Sequence, residues 1–137
     1  MNILVDTHIA IWIITDDPRL SSKAREILLT EGNVTYVSAV SALEVDIKTK
    51  SKNNNLDFSL DDFISMCGEA KIRSLPLTDG VIAEANRLIW EGEGDPHKDP
   101  FDRMLLAQAM VENMSFMTHD DKIPKFKQDC VDRKSVV

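Results

Sequence analysis

Five acidic residues stand where carboxylates can do chemistry as well as face water: Asp6, Glu44, Asp99, Asp102 and Asp120. Asp6 directly follows the apolar run Ile3-Leu4-Val5, and Asp120 comes just after Ser115-Phe116-Met117-Thr118, so both lie at the ends of segments that read as buried strands. Glu44 falls in the first helical turns after a third such segment, Val34-Thr35-Tyr36-Val37. Asp99 and Asp102, three positions apart, share a helix face if a helix opens there. In open parallel α/β sheets the working crevice lies at the carboxyl ends of the strands. Carboxylates converging on that crevice repel one another unless they hold a hard divalent cation. Oxygen ligation without a matching His or Cys suits Mg²⁺ or Mn²⁺. Such ions activate a water and stabilise the leaving oxygen in phosphodiester hydrolysis.

Each acid also has a structural explanation. Asp99-Pro100-Phe101-Asp102 is a good helix start, with an Asp at the N-cap, Pro at the first helical position and an acid in the first turn; taken alone, capping accounts for Asp99 well. Asp120 could cap a short segment from Asp121 to Phe126, and Glu44 is spaced for an ion pair with Lys48. Asp6 is hardest to explain this way, because a carboxylate directly after a buried strand needs a partner or a cation. The separations of His8, His97 and His119 match no zinc-ligand pattern, so the histidines are not expected to form a metal site. Trp12 and Trp90 read as core, and with one Tyr there is no aromatic ladder for single-stranded nucleic acid. Lys48, Lys50 and Lys52 form either a basic rim beyond Glu44 or a solvated helix end.

The elements that must position these residues alternate along the chain. A helix is expected after Ser21 or Ser22, with Leu20, Ala24, Ile27 and Leu28 on one face and Glu31-Gly32-Asn33 at its end. Ser38 stands where a strand hands over to a helix through Val40, Leu43, Glu44 and Ile47. A polar loop from Thr49 to Asn55 precedes a short helix from Asp61 to Ala70 and a strand from Ile72 to Leu75. Val81, Ile82, Ala85, Leu88 and Ile89 keep a helical stripe, Glu91 to Lys98 is a loop, and Phe101 to Val111 is apolar on nearly all sides, as in a helix packed between layers. Val131 to Val137 could add an edge strand. This alternation predicts a three-layer α/β fold, a central parallel sheet flanked by helices, in one domain over residues 1–137.

Composition narrows the setting. A net charge of −7 argues against binding nucleic acid by bulk charge and leaves a local basic patch as the route. Cys67 and Cys130 are far apart with no CxxC pair, which fits a reducing cytoplasm and removes a structural zinc knuckle. No signal peptide and no membrane span are expected, since no apolar run approaches ~20 residues.

Four stretches in order, Leu4-Val5-Asp6-Thr7-His8, Val37-Ser38-Ala39-Val40-Ser41-Ala42-Leu43-Glu44, His97-Lys98-Asp99-Pro100-Phe101-Asp102-Arg103 and Thr118-His119-Asp120, resemble the motifs of PIN-domain ribonucleases, and in particular of VapC-like toxins from type II toxin–antitoxin pairs. The resemblance covers nearly the whole chain. It implies a PIN fold, an Mg²⁺ or Mn²⁺ site on Asp6, Glu44, Asp102 and Asp120 with Asp99 as a further acid, a Thr118 hydroxyl that orients the site, and endonucleolytic cleavage of RNA. It also implies a cognate antitoxin, expected to cover the crevice with a basic residue or otherwise block the metal; exposed apolar residues of Ile9 to Ile14 and Leu20 to Leu29 either give it a groove or, for half of them, are ordinary core. A homodimer is the expected assembly. Two positions depart from the family pattern: Leu43 stands where many relatives carry Trp, and Lys125 to Val137 lacks the usual closing pattern.

Rival readings explain less. A haloacid-dehalogenase-type phosphatase needs a second Asp two residues after the first, where this chain has His8; a receiver domain needs its Asp directly after the middle strand, where Pro76 stands. A PIN nuclease acting in RNA processing without toxin biology is the remaining alternative.

Overall fold

The structure is a computed structural model that describes residues 1–54, 56–88 and 99–119. Four strands, β1 (Asn2–Val5), β2 (Val34–Ser38), β3 (Arg73–Leu75) and β4 (Ser115–Met117), form one parallel sheet in the order β3-β2-β1-β4. The helices are α1 (Thr7–Ile14), α2 (Ser22–Leu29), α3 (Ala39–Thr49), α4 (Leu60–Glu69), α5 (Asp79–Ala85) and α6 (Pro100–Val111). The strand and helix alternation read from the sequence is therefore present over the described residues.

Alternation along β1 divides the interior in two. Ile3 and Val5 pack with Ile9, Trp12 and Phe63 from α1 and α4, whereas Leu4 packs on the opposite face with Val40, Leu105, Leu106 and Phe116. Both faces of the central strand are thus covered, the arrangement that parallel sheets require. Burying one such Leu or Ile side chain contributes about 1.5–3 kcal/mol.

Local chemistry sets the element ends. Ser21, Ser38, Ser59 and Thr78 cap α2, α3, α4 and α5 through their hydroxyl oxygens, and Ser59 and Asp62 complete a reciprocal capping box. Lys71 and Asn113, at φ 62° and 55°, turn the chain after α4 and α6 toward the next strand. The stripe expected to run to Ile89 stops earlier: Asn86 closes α5 with a backbone hydrogen bond to Ala83, and Ile89 lies outside the described residues. The proposed segment 121–126, the edge strand over 131–137, Trp90, His97 and Cys130 lie outside them as well.

The register positions the functional end of the sheet. Val5 pairs with Val37 on one side and Met117 on the other, so the next residues, Asp6, Ser38 and Thr118, emerge side by side at the carboxyl edge. Only Glu112 to Met114 separate α6 from β4, which reverses the chain and directs the start of α6 toward that same edge.

Candidate active site

Asp6 is 4% exposed and serves both as a capping residue and as the centre of a polar cluster. Its Oδ1 accepts from the Ile9 amide at 2.8 Å, starting α1. Its Oδ2 accepts from the Thr118 hydroxyl at 2.6 Å and from the His119 amide at 3.4 Å. These donors are neutral, so they hold the carboxylate in place without cancelling its charge.

Two imidazoles come to this carboxylate. His119 Nδ1 lies 3.5 Å from Asp6 Oδ2, and one ligand atom each from Asp6, His8 and His119 fall within 4.8 Å of one another. The His119 ring is 4.7 Å from both the His8 and Trp12 rings, which fixes its plane. Although His8 keeps part of its surface open, burial pushes its pKa below the usual range. The Lys48 charge adds to this, and the Asp6 charge opposes it. A neutral imidazole is the form that can ligate a metal.

His8 and His119, which were not expected to form a metal site, are thus brought to the same carboxylate, in a group that could hold an ion. Ligand spacing rules apply to residues on one element, whereas His8 and His119 follow the ends of two adjacent strands and meet through the sheet. A carboxylate with two imidazoles fits a divalent cation, and imidazole donors favour Mn²⁺ over Mg²⁺.

Glu44 is held by a second polar chain. Thr7 Oγ1 stands 2.6 Å from Glu44 Oε1 and 2.9 Å from Ser41 Oγ. A hydroxyl has one proton, and the shorter contact goes to the charged acceptor, so Thr7 donates to Glu44 and receives the Ser41 proton. Lys48 Nζ lies 3.6 Å from the other carboxylate oxygen, which confirms the ion-pair spacing. Thr7 and Ser41 are functional candidates that sequence reasoning missed. The available signals were Thr7's place directly after Asp6 and Ser41's place one helical turn before Glu44.

Asp99 caps α6, its Oδ1 accepting from the Phe101 amide at 2.9 Å and the Asp102 amide at 3.4 Å. Asp102, half-buried, lies in the first turn of that helix. Arg103 donates to the Ala85 carbonyl at 2.8 Å and ties the start of α6 to the end of α5. Glu44, Asp99 and Asp102 are not among the three residues whose ligand atoms cluster within 4.8 Å, and Asp120 lies outside the described residues. Of the lysines, Lys50 is paired with Asp46 at 2.9 Å and Lys52 lies exposed in the following loop.

The apolar groove expected on the first two helices is mostly core. Ile9, Ala10, Ile11, Trp12, Leu20 and Ala24 are buried, leaving Ile13, Ile14, Ile27 and Leu28 half-buried and Leu29 exposed.

The model of the PIN domain family matches residues 3–128. The chain belongs to the PIN domain family. Solved structures with the same fold include VapBC2 from Rickettsia felis bound to a promoter DNA fragment, at TM-score 0.64 and 15% identity over 96% of this chain and 98% of that one. A toxin–antitoxin complex from Klebsiella pneumoniae gives TM-score 0.62 and 16% identity over 98% of each chain. VapBC-1 from nontypeable Haemophilus influenzae gives TM-score 0.59 and 17% identity over 90% of each. No curated protein matches the sequence. For this PIN domain, the polar cluster at the carboxyl edge is the candidate active site.

Proposed function

We propose that this PIN domain is a metal-dependent endoribonuclease that acts as the toxin of a type II toxin–antitoxin pair. The observation that carries the reading is Asp6: a buried carboxylate at the end of the central strand, held by neutral donors and met by two imidazoles. Family membership and the likeness to VapBC and other toxin–antitoxin structures support it.

Asp6, Glu44, Asp102 and Asp120 would hold the Mg²⁺ or Mn²⁺, with His8 and His119 as additional ligands at Asp6. The bound ion would supply an activated water and neutralise charge on the phosphodiester. Thr118 keeps Asp6 oriented, the Ser41–Thr7 pair does the same for Glu44, and Asp99 sets the first turn of α6 that carries Asp102. Lys48, which pairs with Glu44 one turn before it, would meet an RNA phosphate in this reading, and Lys50 and Lys52 would extend the basic rim.

The proposed partner is a cognate antitoxin whose segment would insert an Arg or Lys side chain against the carboxylates. Homodimerisation belongs to the same reading, supported by Leu43 and Ile47, 52% and 51% exposed one turn apart on α3. Residues 1–137 are read as one domain working in the cytoplasm; among the described residues no helix is long and apolar enough to cross a membrane.

The test is purification with the product of the adjacent gene, followed by RNase assays with Mn²⁺, with Mg²⁺ and with excess chelator. Metal-dependent cleavage that the partner suppresses, and that proteolysis of the partner restores, is the expected result. Cleavage in excess chelator would overturn the metal assignment. A neighbour that neither binds nor inhibits would leave a PIN nuclease without toxin biology.

A further inference from the structure

Beside the acidic cluster lies a cleft of different character. It has a volume of about 360 Å³ and is lined by His8, Trp12, Arg19, Lys48, Asn53 and Asn54 among others. That size falls in the range of small-molecule sites, roughly 300–1,000 Å³. Among the described residues its lining contains no acid, although the chain as a whole carries −7. His8 belongs both to this cleft and to the cluster around Asp6, so the two share a wall.

We propose that this cleft is a subsite for one nucleotide of the RNA, flanking the phosphodiester that is cut. The proposal rests on the ribonuclease reading and deepens it. Arg19 provides the stacking surface. Its guanidinium is gripped by both carboxylate oxygens of Asp17, through Nε at 3.1 and 3.2 Å and Nη2 at 2.7 Å. Its central carbon lies 5.3 Å from the Trp12 ring centroid. The plane is therefore pinned at its edge and backed by an aromatic ring, while 70% of the side chain stays exposed. Unpaired RNA bases stack on guanidinium planes of this kind.

An asparagine of the lining can read the base. Asn54 is committed to the loop itself, accepting from the Leu56 amide at 2.8 Å and donating to the Thr49 carbonyl at 3.3 Å. The Asn53 side-chain amide makes no hydrogen bond among the described residues, which leaves its donor and acceptor for a base edge. Lys48 stands between the cleft and Glu44, where a backbone phosphate would pass from one to the other. A basic peptide segment fits less well, since no carboxylate in the lining would receive it.

The experiment cleaves a randomised ten-nucleotide RNA library in Mn²⁺ and sequences the cut ends. It compares the native chain with Arg19→Lys, Arg19→Ala, Asn53→Ala and the distant control Arg73→Ala. Arg19→Lys is the decisive variant, because it keeps the charge and loses the planar face. A lost stacking contact lowers the cleavage rate on the order of 10-fold. The expected result is that loss for both Arg19 variants, a flattened base preference at one position beside the cut for Asn53→Ala, and no change for Arg73→Ala. If the native chain cuts RNA and the Arg19 and Asn53 variants match it in rate and base frequencies, the subsite is wrong and the ribonuclease reading stands. If the native chain cuts no RNA, both fall. Unchanged cleavage with altered inhibition by the genomic neighbour would assign the cleft to a protein partner and overturn the proposal.

Discussion

Thr118 and Asp6 are 112 residues apart in sequence and joined by a 2.6 Å hydrogen bond at the carboxyl edge of the sheet. The bond exists because β1 and β4 are neighbours in register, so that the residues following Val5 and Met117 emerge together. Thr118→Val keeps the shape and removes the donor, leaving a buried carboxylate oxygen short of a partner. The expected cost is about 1–3 kcal/mol in stability, together with a fall in RNA cleavage of roughly 10-fold, the scale of about 1.4 kcal/mol lost from the transition state. Thr118→Ser should restore most of both. Chemical denaturation and initial rates measured side by side would check it, and a rate loss that Ser fails to rescue would count against the orienting role.

Asp6→Asn separates folding from metal binding. Asn caps a helix as well as Asp does, so the Ile9 amide keeps its acceptor and the variant should melt close to the native protein in chelator. Mn²⁺ at 100 times its Kd should stabilise the native protein by about 2.7 kcal/mol and the variant hardly at all, with cleavage abolished. Equal Mn²⁺-induced shifts in the two melting curves would remove Asp6 from the ligand set. His119→Ala should selectively lower activity in Mn²⁺ relative to Mg²⁺, because an imidazole donor favours the former.

The polar chain from Ser41 through Thr7 to Glu44 gives a graded outcome. Thr7→Val removes the 2.6 Å donor to Glu44 and should lower cleavage more than Ser41→Ala, which acts one bond further away. If both positions work through Glu44, the double variant should fall short of the product of the single losses. Full multiplicativity would show that Ser41 and Thr7 act independently.

Much of this fold was legible in the sequence because each strand carries a local signal. Ile3-Leu4-Val5 is buried on both faces and apolar throughout, and Ser21 and Ser38 announce helix starts with a side-chain oxygen. Asp99 as a cap was readable for the same reason, its partners being two and three residues away. The Asp6–His8–His119 cluster was not, since it depends on which strands lie side by side, and spacing along one element carries no information about that. The helix expected to reach Ile89 illustrates the other failure: an apolar stripe does not encode where the backbone stops, and Asn86 stopped it.

Cys67 on α4 gives a pH prediction. Burial against Phe63 and its neighbours pushes the thiol up to about 11, because the interior penalises the thiolate. The folded state therefore keeps its proton at pH values where the unfolded chain has lost it. The stability held by the neutral thiol is complete below the unfolded pKa and is lost as pH rises from the ordinary thiol value of 9.0 toward about 11. In a Cys130→Ser background, thiol reagents at pH 8 should label Cys67 only after unfolding. Cys67→Ala should weaken the fall in denaturation midpoint between pH 9 and 11. Rapid labelling of the native protein would contradict the burial argument.

Asp99 and Asp102 share one helical turn and are expected to respond oppositely to the same substitution. Asp99 accepts two backbone amides at the start of α6, and an Asn side chain can accept them equally well, so Asp99→Asn should change stability by no more than a few tenths of a kcal/mol. Asp99→Ala removes the cap, costs about 1 kcal/mol, and loosens the turn that carries Asp102. Asp102→Asn leaves that cap untouched yet deletes a proposed metal-site charge, so cleavage should disappear while the melting curve in chelator stays near native. Thermal melts and RNase rates on the three variants decide the matter. Should Asp99→Asn also abolish cleavage with its stability intact, Asp99 would belong with the charged residues of the site, because only its charge would have changed.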